Sequence, residues 1–87
     1  MLGTTTISGP TMRILLAEDD ALLGDALQAG LRQAGFDVDW ARDGIAAENA
    51  LAGAPYAALV LDLGLPRRSG DELLARLRAK NDRLPVL

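Results

Sequence analysis

Two short runs of this chain, Ile14-Leu15-Leu16-Ala17 and Ala57-Ala58-Leu59-Val60-Leu61, are apolar without a break, and each runs straight into acid. Glu18-Asp19-Asp20 follows the first and Asp62 the second. Apolar side chains on both faces of a short segment need cover on both faces, which is the environment of an inner strand in a parallel sheet. The rest of the sequence supplies that cover. Leu23, Leu27, Leu31 and Ala34 recur at helical spacing, with Asp19 or Asp20 as the cap that accepts orphan N–H groups and Gly35 as the stop. Phe36 to Ala41 alternates apolar and polar, which predicts a half-exposed strand. Asp43-Gly44 turns the chain into an Ala-rich helix ending near Leu51, broken by Gly53-Ala54-Pro55. After a loop with Pro66 and Gly70, Leu73, Leu74 and Leu77 mark a third helix, and Pro85-Val86-Leu87 reads as the start of a fourth strand. Alternation of this kind predicts an α/β fold: a doubly wound parallel sheet with helices on both faces, in three layers.

Composition narrows the chemistry. At 87 residues the chain holds one small domain. It has no cysteine and no histidine, which excludes a disulfide framework, thiolate or imidazole metal ligands, and a Ser-His-Asp triad. A formal charge of −3 gives no electrostatic footprint for nucleic acid. No apolar run approaches the roughly 18 residues of a membrane span. Residues 1–11 are small and polar, with Gly3, Gly9 and Pro10 and without a signal-peptide core. They read as a disordered leader or tag, with the domain proper over residues 12–87, no membrane partner and a cytoplasmic setting.

The acids carry the functional signal. Open parallel sheets bind ligands outside the carboxyl ends of their strands. If the two apolar strands are neighbours, Glu18, Asp19, Asp20 and Asp62 converge there. Each like-charge pair at about 4 Å costs roughly 4 kcal/mol at an effective dielectric near 20. Such a cluster persists when protonated in part or when it binds a cation, and an oxygen-only donor set with water access suits Mg²⁺. A carboxylate beside Mg²⁺ is in turn a nucleophile for phosphoryl groups. The plainer reading has Asp19 and Asp20 capping a helix and Asp62 at an exposed strand end.

These residues resemble the receiver domain of two-component response regulators, a CheY-like family. The similarity is strongest to the OmpR/PhoB group and, within it, to a PmrA/QseB-like branch. The matching stretches are Arg13 to Asp20, Asp43-Gly44, Ala54-Pro55-Tyr56, Leu61-Asp62-Leu63-Gly64-Leu65-Pro66, Ser69-Gly70 and Leu84 to Leu87. The resemblance implies strand order 2-1-3-4-5, of which this sequence holds three βα units and the start of the fourth strand. It implies that a sensor histidine kinase phosphorylates Asp62. It assigns Mg²⁺ to Asp19, Asp62 and the backbone carbonyl of Gly64 directly, and to Glu18 through a water. Pro66 and Gly70 shape the loop after Asp62. The domain is then a phosphoacceptor, not an enzyme, and DNA is a partner only through a C-terminal domain outside this sequence. A hydroxyl residue ending the fourth strand and a lysine ending the fifth are also implied, and the sequence stops at Leu87 before either. Lys80, its single lysine, is no substitute.

Other readings compete. A haloacid-dehalogenase-like, Mg²⁺-dependent phosphatase also uses a strand-end Asp, but needs a second Asp where Gly64 stands. A Rossmann unit needs glycines where Glu18-Asp19-Asp20 follow the first strand. An incomplete receiver domain lacks autonomous signalling and self-associates along its bare sheet edge. Trp40 reads as packing on a neighbouring helix, Arg67-Arg68 as a solvated loop pair, and Arg76, Arg78, Lys80 and Arg83 as surface charge near a helix C-terminus.

Overall fold

The computed structural model describes residues 12–80 and 83–87; the leader expected over 1–11 lies outside the described residues. The elements run β1 Arg13–Ala17, α1 Ala21–Gln33, β2 Asp37–Ala41, α2 Gly44–Gly53, β3 Ala58–Leu61 and α3 Gly70–Ala79. All three strands are parallel, in the order β2-β1-β3. The first strand is central, so its apolar run is covered from both sides: Ile14, Leu15, Leu16 and Ala17 are all buried.

Leu15 and Ala17 point to the face that carries α2 and α3, where they join Ala41, Ala47, Leu59, Leu65, Leu73 and Leu77 in one cluster. Leu15, Leu59 and Leu73 are fully buried there, and truncating such a leucine to alanine costs about 2–5 kcal/mol. Ile14 and Leu16 point the other way, level with Val38 and Trp40 of β2, and α1 packs on this side. Helices therefore lie on both faces, as expected. The cover is uneven. Leu22 is 76% exposed and Leu23 48%, and β3 is only half-buried at Ala58 and Val60. The apolar run at 57–61 is thus not enclosed on both faces as β1 is, because α1 lies over β2 and leaves the β3 side of its face open.

The outer edge of β3 does not stand bare. Leu59 and Leu61 donate their N–H groups to the carbonyls of Pro85 and Leu87 at 2.9 and 3.0 Å, and Leu87 donates back to Leu59 at 2.8 Å. Val86 forms a parallel bridge with Leu59, so the residues read as a fourth strand begin to pair where that strand belongs.

Local signals set the helix starts. Of the two candidate caps for α1, Asp20 is the one used: its Oδ1 accepts from the N–H groups of Leu22 and Leu23 at 2.9 and 3.1 Å. Asp43 caps α2 through Ala46 N–H at 2.7 Å, and Ser69 caps α3 through Glu72 N–H at 3.2 Å. α3 starts at Gly70 and α2 runs on to Gly53, both longer than the leucine and alanine spacing alone marks.

Candidate metal centre at the carboxyl ends of the strands

With Asp20 committed to capping, Asp19 is free to face the crevice. Glu18 follows β1 directly, and its N–H donates to the carbonyl of Ala41 at 3.0 Å. Asp62 follows β3 directly, and its N–H donates to the carbonyl of Ala17 at 3.0 Å. The sheet thereby delivers one acid from each of two adjacent strands to the same level. One carboxylate oxygen from each of Glu18, Asp19 and Asp62 lies within 4.8 Å of the other two. Glu18 is buried at 7% exposure, Asp62 is half-buried and Asp19 is exposed. The group is therefore graded from a buried floor to an open mouth.

No ion pair among the described residues neutralises these acids; the pairs all involve other carboxylates. Burial pushes the Glu18 carboxyl above its ordinary value. The Asp20 N–H donating to its Oε2 at 3.2 Å pulls it partly back, and the neighbouring Asp62 and Asp19 push it up again. An acid held unfavourably charged beside two others, all-oxygen and open to water on one side, fits a hard cation of the Mg²⁺ kind.

The loop after Asp62 is tightly arranged. Gly64 donates its N–H to Asp62 Oδ1 at 3.0 Å, which orients the carboxylate. Gly70 donates to the carbonyl of Leu63 at 3.0 Å, and a Cβ there would stand 2.8 Å from the carbonyl oxygen of Asp62. Only a glycine lets α3 start this close to the acid. Pro66 accepts from Gly44 N–H at 3.1 Å and from Arg68 N–H at 2.8 Å, tying the loop to the start of α2.

The expectation of a solvated loop pair holds for Arg67, which is exposed, and needs correction for Arg68. Arg68 is not a solvated loop residue: it is 19% exposed and pairs with Glu48 at 2.9 Å and Glu72 at 3.4 Å. Arg67 meets Asp43 at 3.8 Å and takes a left-handed backbone, φ 70°. Glu48, unremarked in the sequence, also holds Arg76 at 3.4 Å, so α2, α3 and the loop share one acid. Trp40 does pack on α1, as expected, and it does more: its indole N–H donates to the carbonyl of Glu18 at 2.8 Å.

The amino ends of the strands hold a second acidic group. Arg13 lies 3.0 Å from Asp39 and 3.9 Å from Asp37, and Tyr56 donates its hydroxyl to Asp39 at 2.7 Å. Burial, and then the bond to Asp39, push the Tyr56 hydroxyl up to about 12.

Residues 14–87 match the response regulator receiver domain family. Over 76 residues the chain is 59% identical to response regulator protein PmrA of Pseudomonas aeruginosa and 53% identical to transcriptional regulatory protein QseB of Haemophilus influenzae. Each match takes in 87% of this chain and 34% of the relative, so the chain spans about a third of their length. Among solved structures, the receiver domain of a Francisella response regulator superposes with TM-score 0.84 at 29% identity, over 87% of this chain and 63% of that one. The receiver domain of a Pseudomonas aeruginosa sensor histidine kinase, with a magnesium ion coordinated in its active-site cleft, superposes with TM-score 0.83 at 30% identity, over 88% and 65%. No helix among the described residues is long and apolar enough to cross a membrane.

Proposed function

The chain belongs to the response regulator receiver domain family, and on that premise we propose that it is the phosphoacceptor module of a cytoplasmic, DNA-binding transcriptional regulator, phosphorylated on Asp62 by a sensor histidine kinase with Mg²⁺. The observation that carries this reading is the carboxylate group of Glu18, Asp19 and Asp62 at the carboxyl ends of adjacent strands, which meets no cation among the described residues. The magnesium ion in the active-site cleft of the histidine-kinase receiver domain supports it. Nothing in these matches favours a phosphatase or a dinucleotide-binding unit.

In this reading an Asp62 carboxylate oxygen attacks the phosphorus of a phosphohistidine. The new O–P bond forms as the N–P bond breaks, and the departing imidazole keeps that electron pair. Asp62 becomes an acyl phosphate. Asp19, Asp62 and the Gly64 carbonyl would hold Mg²⁺, with Glu18 supporting the site beside them. When bound there, the ion would supply positive charge to the clustered acids and to the transferring phosphoryl group. The chain's own contribution is orientation: Gly64 N–H fixes one oxygen of Asp62, and the close start of α3 at Gly70 holds the loop. DNA binding belongs to the part of such regulators beyond this sequence.

The test is phosphoryl transfer from a small acyl-phosphate donor, read as acid-labile label on the protein. Label is expected on Asp62 alone, only with Mg²⁺, and Asp62→Asn abolishes it by removing the nucleophilic oxygen. Label that persists in the Asn variant overturns the assignment.

A further inference from the structure

With the crevice read as a Mg²⁺-dependent phosphoacceptor site, we infer that Trp40 is a positioning residue for it: the indole holds the Glu18–Asp19 peptide where both carboxylates meet Asp62. Trp40 lies on β2, opposite Leu16 of β1. Its Nε1–H donates to the Glu18 carbonyl at 2.8 Å, and the next residue, Ala41, accepts from Glu18 N–H at 3.0 Å. Consecutive residues of β2 thus hold both backbone polar groups of Glu18.

The carbonyl of Glu18 and the N–H of Asp19 belong to one planar peptide unit. Fixing that carbonyl fixes the direction in which Asp19 leaves the strand. On the far side of the crevice Asp62 is held independently, by its N–H to Ala17 and by the Gly64 amide. The Trp40 bond is therefore a long-range side-chain constraint on where Asp19 stands relative to Asp62, added to the local bonds of Glu18 and Asp20.

The indole is itself seated. A Cβ at Gly24 of α1 would fall inside the ring, so a glycine is what leaves the ring its place. The Arg42 guanidinium carbon stands 4.5 Å from the ring centroid. The slot and the ring's cationic neighbour hold the indole in one pose, with its N–H aimed at the Glu18 carbonyl.

Replacing Trp40 by 3-benzothienylalanine keeps the ring shape and puts sulfur in place of the N–H. Mg²⁺ is then titrated on the whole chain while backbone amide shifts at residues 18–20 and 62–64 are followed by NMR. The Mg²⁺ dissociation constant is expected to rise about tenfold, with the urea midpoint held close to that of the parent chain. Phosphorylation of Asp62 by a small donor falls at low Mg²⁺ and recovers at saturating Mg²⁺, a split that a purely structural residue does not produce. Gly24→Ala, which pushes the ring from its seat, is expected to weaken Mg²⁺ binding likewise and to lose stability as well. An analogue that binds Mg²⁺ as tightly as the parent overturns the role of Trp40 and leaves the phosphoacceptor reading intact. A parent chain whose amides do not respond to Mg²⁺ overturns both.

Discussion

Asp37 and Asp39, toward the amino ends of the strands, share the guanidinium of Arg13, and Asp39 accepts the Tyr56 hydroxyl as well. Glu18, Asp19 and Asp62, at the carboxyl ends, crowd within 4.8 Å and pair with no cation among the described residues. Acids of one sheet, on β2 at one end and just after β1 and β3 at the other, are paired with a cation at the first end and left without one at the second. At the amino end charge stabilises the fold, modestly, because the pairs are half-exposed. At the carboxyl end the buried Glu18 is held above its ordinary value by burial and by its acidic neighbours, and the proposed cation would offset that cost.

The contrast breaks most visibly at Glu18. Glu18→Gln removes a buried charge while keeping an acceptor for the Asp20 N–H. It is expected to stabilise the metal-free chain by about 1 kcal/mol, read from urea unfolding with a chelator present. In saturating Mg²⁺ that gain shrinks or reverses, because binding to the native state adds stability to the parent chain. A metal-free loss of stability would mean that Glu18 is already satisfied.

At the amino end the sign is opposite. Tyr56→Phe removes the bond to Asp39 and is expected to cost about 1 kcal/mol, with no effect on Mg²⁺ affinity. The pH profiles separate the two ends further. Tyr56 is raised from 10.0 to about 12 in the fold, so its contribution is complete below pH 10 and lost as pH climbs toward 12. Tyr56→Phe flattens that alkaline fall. Glu18 is also raised, so its contribution in the metal-free chain is complete below its ordinary value of 4.5 and lost as pH rises through the elevated folded value. Mg²⁺ is expected to offset that second loss and leave the alkaline one unchanged.

Much of this arrangement is written in local sequence. The run Ile14 to Ala17 announces a central strand because its burial needs no alternation, and an acid at each strand end announces the crevice. What was not legible depends on distance. Either Asp19 or Asp20 fits a cap, and only the path of α1 selects Asp20 and frees Asp19. Trp40 and Glu18 are 22 residues apart, so no local pattern reveals their bond. Glu48 carries no local signal within its Ala-rich helix, yet three-dimensional packing brings Arg68 and Arg76 to it. The run at 57–61 looks like the one at 14–17, yet within it only Leu59 is fully buried, and Ala58 and Val60 are half-buried. Its burial depends on what lies across the sheet, which composition alone does not report.

The central claim, that one acidic end of the sheet is open to a cation and the other is closed, meets its most direct test in a Mg²⁺ titration of the parent chain by ¹H–¹⁵N NMR. Saturable shifts are predicted at Glu18, Asp19, Asp62 and Gly64, with Asp37, Asp39 and Tyr56 unmoved. Shifts of equal size at both ends, or none at the carboxyl end of a folded chain, would contradict it.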